Sequence, residues 1–267
     1  MIRLYKIGGN VVDDPAALER FCAEFAALDG PKLLVHGGGV RASQVQKALG
    51  VEPVRIEGRR VTDAKTLEVV TMVYAGWCNK DIVARLQRHG CNAIGLSGCD
   101  GNLITARKRP PILLSDGVTK VDFGFVGDVT AGSVHVPLIR KLLGEGLTPV
   151  FCAINHDGTG QLLNTNADTM AAAISVALGA KLYYCFEMGG VLYDRNDNGS
   201  VIPSLDPDGY ARLRAEGRVS DGMIPKLDNA FAALREGAAG VVIRSAEGLA
   251  CPGGTELKLL IQSYVNT

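Results

Sequence analysis

Residues 2–39 read IRLYKIGGNVVDDPAALERFCAEFAALDGPKLLVHGGG. Residues 2–7 form a short apolar run that ends in two glycines. Residues 15–28 then carry apolar side chains at helical spacing, with Asp14 as N-cap, Pro15 in the first turn and Gly30 just past the end. A second apolar run, 32–36, ends in three glycines, and a second helical pattern occupies 40–49. The order is strand, helix, strand, helix. Runs this short and this uniformly apolar suit strands buried on both faces of a parallel sheet.

The alternation continues outward, with strands expected at 93–96, 149–153, 181–186 and 240–244 and helices at 64–89, 137–144, 168–178 and 226–236. The expected fold is α/β: a three-layer αβα sandwich around an open, mainly parallel, twisted sheet. Residues 98–134 and 156–163 depart from the pattern and read as hairpins. A division into two lobes falls near 163–168, although no composition shift marks it.

The chain has 267 residues, 47% hydrophobic and 21% charged, which excludes fibrous and disordered classes. Lys plus Arg equals Asp plus Glu at 28 each, so no global field gathers nucleic acid or anionic lipid, and any bound anion is held locally. Seven cysteines without a C-x-x-C pair argue against a zinc site or a disulfide framework and for reduced thiols in the cytoplasm. Arg3 and Lys6 interrupt any signal-like run, and the longest mainly apolar stretch, 170–180, is too short for a membrane span.

Four segments carry chemistry. In Lys6-Ile7-Gly8-Gly9-Asn10 a strand runs into bare glycine amides beside a full positive charge, an arrangement suited to an anion; the plain alternative is a strand-end turn with a snorkelling lysine. His36-Gly37-Gly38-Gly39 adds the N-terminus of a helix. Gly37-x-Gly39-x-x-Ala42, with Glu57 20 residues beyond Gly37, also fits a loose dinucleotide fingerprint. A dinucleotide site needs one such turn; two turns, one bearing a lysine, suggest two sides of one phosphate. His36 itself reads as a packing residue. Asn164-Thr165-Asn166-Ala167-Asp168 enters a helix with three polar side chains where a cap needs one, and Ser220-Asp221-Gly222-Met223-Ile224-Pro225-Lys226 delivers a second lysine at another helix start.

The chain lacks a P-loop, H-E-x-x-H, G-x-S-x-G and protein-kinase loops, and its four histidines form no evident dyad. Phosphoryl transfer to a carboxylate needs no general base, because the acceptor is already ionised. It needs positioning and positive charge.

Together these motifs, with Gly58-Arg59-Arg60-Val61-Thr62, resemble the amino-acid kinase family and within it the N-acetylglutamate kinases, in order and over nearly the whole chain. The resemblance implies ATP-dependent phosphorylation of the side-chain carboxylate of N-acetyl-L-glutamate in arginine biosynthesis. It implies that Lys6 and Lys226 flank the phosphoryl group and that Asp168 orients them. Amides of Gly8, Gly9, Gly38 and Gly39 would hold phosphoryl oxygens, with Gly38 and Gly39 also near the acceptor. Arg60 would clamp the acceptor's α-carboxylate, with Asn164 and Asn166 beside the N-acyl amino acid. Glu187, Gly190, Val191, Leu192, Ser220 and Gly222 fall at nucleotide positions, and Mg²⁺ is carried on ATP without a protein ligand.

By the same resemblance, residues 1–165 bind the acyl amino acid and form a homodimer, and residues 166–267 bind ATP. The chain begins at its first strand, without the extra helix of arginine-inhibited hexamers, which leads to the expectation of a dimer without arginine feedback. Where the family commonly has Ser-Asp, this chain has Phe186-Glu187. N-succinylglutamate and a carrier-bound aminoadipate remain alternative acceptors. A nicotinamide-dependent oxidoreductase and a silent amino-acid sensor are the rivals from other classes.

Overall fold

β1 (Arg3–Ile7) and β2 (Lys32–His36) lie parallel and adjacent, with Ile7 opposite His36. Every residue of β2 is buried, which is why its sequence is a continuous run and not an alternation. The computed structural model describes residues 1–219 and 222–259. Its main sheet adds β3 (Ala93–Leu96), β4 (Thr148–Cys152), β5 (Lys181–Phe186), β6 (Ser204–Leu205), β7 (Gly240–Ser245) and β8 (Thr255–Leu257). The spatial order is β6-β8-β7-β5-β1-β2-β4-β3. All neighbours are parallel except β7 and β8.

The helices are α1 (Gly9–Asp13), α2 (Pro15–Ala27), α3 (Gly39–Ala48), α4 (Ala64–Thr71), α5 (Asn79–Arg88), α6 (Val136–Gly144), α7 (Ala167–Leu178), α8 (Pro207–Ala215) and α9 (Ile224–Glu236). Successive strand residues feed opposite faces: Leu4, Leu33 and Val35 join a core with Ile174 and Phe231, whereas Tyr5, Ile7 and Leu34 join one with Phe21 and Phe25. This is the expected three-layer sandwich. On α2, Leu18, Phe21, Cys22 and Phe25 form one buried stripe, and Asp14 caps its start by accepting from the amides of Ala16 and Ala17.

Chain order reverses direction beside β1, which has β2 on one side and β5 on the other. Ligands in open α/β sheets gather outside the carboxyl ends of strands at such a switch point. Because β5 pairs directly with β1, residues on both sides of position 165 share one sheet.

Three features differ from the sequence reading. Residues 64–89, expected as one helix, are α4, a π-helical stretch Met72–Cys78 and α5, joined without a break in helical direction at Thr71 and Asn79. Strand β4 starts at Thr148, and its Pro149 precedes the β2 pairing, which begins at Val150, so the missing N–H removes no bond to β2. The short α1 and the β6, α8 and β8 segments are not among the elements expected from the sequence. The expected hairpin at 156–163 is present: Ile154–His156 pairs antiparallel with Leu162–Thr165, which lies parallel to Val126–Asp128 in a small second sheet. Among the described residues no helix is long and apolar enough to cross a membrane.

At the end of β2, His36 is fully buried. Gly37 O lies 2.7 Å from Nδ1 and can only accept, so Nδ1 donates and Nε2 accepts from Asn79 Nδ2 at 3.1 Å. Burial lowers its pKa from 6.5 to about 4. Between those values the unfolded chain binds the extra proton, so stability falls as pH drops from 6.5 to 4 and levels off below. At 1.36 kcal/mol per unit the ceiling is roughly 3 kcal/mol. Urea unfolding of wild type and His36→Gln across this range should show the steeper pH dependence in wild type; parallel curves would contradict the assignment.

Candidate active site

The two glycine turns touch. Gly37 N donates to Ile7 O at 3.1 Å, and a Cβ added at Gly37 would lie 3.7 Å from Gly9 N. A Cβ at Gly38 would come within 3.0 Å of Tyr74 Cδ1 and 3.1 Å of Cys78 Sγ, so the π-helical stretch presses directly on the second turn. The N-cap residue of α3, Gly38, makes no side-chain cap bond.

Lys6, at the penultimate position of β1, is only 6% exposed. Its Nζ lies 2.6 Å from Asp168 Oδ1, a contact of charge on charge, since that oxygen receives no aligned hydrogen bond. Asp168 is in the first turn of α7, and its backbone carbonyl accepts from the Tyr184 hydroxyl at 3.0 Å, which ties α7 to β5. Lys226 arrives from the first turn of α9, half-buried. Its Nζ stands 4.0 Å from the Phe186 ring centre, and Lys6 Nζ stands 5.7 Å from the same ring.

Burial pushes the Lys226 pKa below its ordinary value; Asp168 opposes this, Lys6 reinforces it and Glu187 opposes it. Lys6, Gly8, Gly9, Phe186, Glu187 and Lys226 are among the residues lining a cavity of about 310 Å³. A larger cavity, about 440 Å³, opens at the opposite, amino ends of the central strands against Pro31, Arg140 and Thr148. Its buried Lys32 already donates to the helix-end carbonyls of Ala26 and Leu28, and it holds no comparable cluster of reactive groups.

Arg60 lies beside the second glycine turn, 7% exposed. Its Nη2 donates to Gly39 O at 2.7 Å and Ser43 Oγ at 2.8 Å, and its Nη1 donates to Gln46 Oε1. None of these partners is a carboxylate. Burial pushes its pKa down, so the charge is held at a cost that a ligand anion would offset. Arg55 reaches the same carbonyl, Gly39 O, at 3.5 Å. Asn164 Nδ2 donates to Thr62 Oγ1 at 3.0 Å, two residues along from Arg60.

Other residues singled out in the sequence are placed differently. Asn166 is the N-cap of α7, its Oδ1 accepting from the amides of Asp168 and Thr169 at 2.8 and 3.0 Å. Gly190, Val191 and Leu192 do not line the cavity: Gly190 abuts Thr255, Val191 N donates to Thr255 Oγ1, and Leu192 bridges to Val201. Gly222 is exposed on the approach to α9, and Ser220 lies outside the described residues. Glu57, the acid needed by the dinucleotide rival, is bound to Ser115 through its N–H at 2.8 Å and its hydroxyl. Sequence reading missed Tyr74, Cys78, Ser43, Gln46 and the role of Phe186. The spacing of Ser43 and Gln46 on one face of α3 was available as a signal; the π turn had none. Among the described residues no three His, Cys, Asp or Glu side chains cluster as a metal cage.

The sequence profile of the amino acid kinase family matches residues 1–245. The chain belongs to the amino acid kinase family. This amino acid kinase is 49% identical over 255 residues to the acetylglutamate kinase of Cytophaga hutchinsonii, covering 93% of this chain and 94% of that one. It is 46% identical over 261 residues to the acetylglutamate kinase of Bacteroides fragilis, covering 96% and 97%. Its fold is similar to that of N-acetylglutamate synthase from Neisseria gonorrhoeae complexed with coenzyme A and N-acetyl-glutamate, with a TM-score of 0.78 at 23% identity. There it covers 96% of this chain but 59% of the synthase.

Removing the α7 cap by Asn166→Ala should lower unfolding free energy by about 1 kcal/mol in chemical denaturation. Unchanged stability together with a raised acceptor KM would instead make Asn166 a ligand contact.

Proposed function

We propose that the protein transfers the γ-phosphoryl group of ATP to the side-chain carboxylate of N-acetyl-L-glutamate, forming N-acetyl-L-glutamate 5-phosphate in arginine biosynthesis. The observation that carries this reading is the convergence of Lys6 and Lys226 on one cavity lined by the first glycine turn, against which the second turn packs, with Arg60 held on that second turn by neutral partners. The acetylglutamate kinases at up to 49% identity support the same substrate.

In this reading the acceptor carboxylate, already ionised, attacks phosphorus in line as the bond to the β,γ-bridging oxygen breaks and ADP leaves. No proton moves at the acceptor. Both reactants are anionic, so the barrier is lowered by charge: Lys6 and Lys226 flank the phosphoryl group, and amides of Gly8, Gly9, Gly38 and Gly39 hold its oxygens. Asp168 holds Lys6 in place without cancelling both ammonium charges. Arg60 pairs with the α-carboxylate, its planar fork already oriented by Gly39 O and Ser43, and Asn164 stands beside the acyl amino acid.

Glu187 lines the cavity on the nucleotide side; Gly190, Val191, Leu192, Ser220 and Gly222 are assigned there by the family resemblance alone, 190–192 packing on Thr255 and Val201 outside the cavity. Asp168 and Glu187 are the carboxylates of the site, one of them engaged by Lys6, a donor set that suits Mg²⁺ carried on ATP. Bound there, Mg²⁺ would neutralise charge on the β- and γ-phosphates. Residues 1–165 serve the acceptor and a homodimer contact, residues 166–267 serve ATP, and the enzyme works in the cytoplasm.

The test is a hydroxylamine trap for the acyl phosphate, run with ATP, Mg²⁺ and N-acetylglutamate, and with N-succinylglutamate and a carrier-bound aminoadipate as competing acceptors. Hydroxamate from N-acetylglutamate is expected, and none from any acceptor ends the kinase reading. Lys6→Ala and Lys226→Ala should each lower kcat by about 10² to 10³. Arg60→Ala should act chiefly on acceptor KM, and equal loss of kcat for all acceptors without a KM change would remove Arg60 from the clamp.

A further inference from the structure

The site brings two ammonium groups together with one carboxylate in direct contact, an arrangement that like-charge repulsion opposes. Asp168 Oδ1 meets Lys6 at 2.6 Å, and among the described residues that carboxylate makes no ion pair with Lys226. What the two lysines share is the ring of Phe186, its centre 4.0 Å from Lys226 Nζ and 5.7 Å from Lys6 Nζ. The ring is half-buried at the end of β5, stacks on Tyr184 at 6.2 Å, and so has a fixed orientation. Both distances fall within the range in which the negative face of an aromatic ring attracts a cation.

We propose that Phe186 is a positioning residue whose π-face gathers Lys6 and Lys226 around the phosphoryl site; this rests on the kinase reading above. The physical logic concerns net charge. A second carboxylate in the ring's place would also draw the lysines in, but it would neutralise them and repel the incoming phosphate. A ring attracts cations through its quadrupole while carrying no charge, so both lysines keep theirs for the anion in flight.

The groups that set the charge on Lys226 are Asp168 from α7, Lys6 from β1 and Glu187 following β5, with burial lowering its pKa overall. The ring favours the charged form. Its loss therefore moves the alkaline limb of the kcat profile to lower pH.

The experiment replaces Phe186 with Leu, with Tyr, and with a series of mono-, di- and trifluorinated phenylalanines that keep ring shape while draining the negative face. Phe186→Leu should lower kcat about tenfold and shift the alkaline limb down, and Phe186→Tyr should restore most of the rate. Across the fluorinated series kcat should fall stepwise, with acceptor KM nearly constant and chemical denaturation unchanged. A flat series on an active wild type overturns this proposal and leaves the kinase reading standing. A wild type that forms no acyl phosphate from any acceptor overturns both.

Discussion

The site depends on holding two positive side chains together in a partly dry cavity. Lys6 is fixed by the strand it belongs to and by Asp168 at 2.6 Å; Lys226 comes from a helix more than two hundred residues later in the chain. Their repulsion must be offset by the fold, and the offset comes from elements packed for other reasons. The α7 helix is anchored by its Asn166 cap and by Tyr184, β5 is locked beside β1, and the Phe186 ring is stacked on Tyr184. Free energy from the core is thereby converted into a concentrated field at the carboxyl ends of the central strands.

The glycines follow from the same constraint. An anion can be approached by backbone amides only where no side chain intervenes, and at Gly38 the far side is closed by Tyr74 and Cys78. That turn is pressed closely against the π-helical stretch. Arg60 plays a complementary part: it is fixed by neutral acceptors on α3, so its charge is directed and, among the described residues, forms no ion pair with an acid.

Much of this was legible in the sequence because the informative residues are local. Strands at 32–36, 93–96 and 181–186 were readable to the residue, since buried parallel strands are apolar runs bounded by turns. The lysines and glycine turns were readable because each sits at an element boundary that punctuates the chain. That one polar residue of 164–168 caps the helix was legible, but not which one: Asn166, expected beside the acyl amino acid, is the cap. The π turn was not, because Met72–Cys78 has the same apolar spacing an α-helix would show and differs only in its hydrogen bonding. Phe186 was visible only as a departure; its two lysine neighbours come from strand and helix contacts across the whole chain, which no local pattern encodes.

The widened turn at Met72–Cys78 also constrains how this chain can change. One extra residue in a helical turn rotates everything downstream by about 100° relative to an uninterrupted helix. Upstream of it, Thr66 Oγ1 accepts from Gln46; downstream, Asn79 reaches His36 and Val150 O. Excising a single residue there would re-phase the second group against the first, so the segment tolerates substitution far better than a change in length.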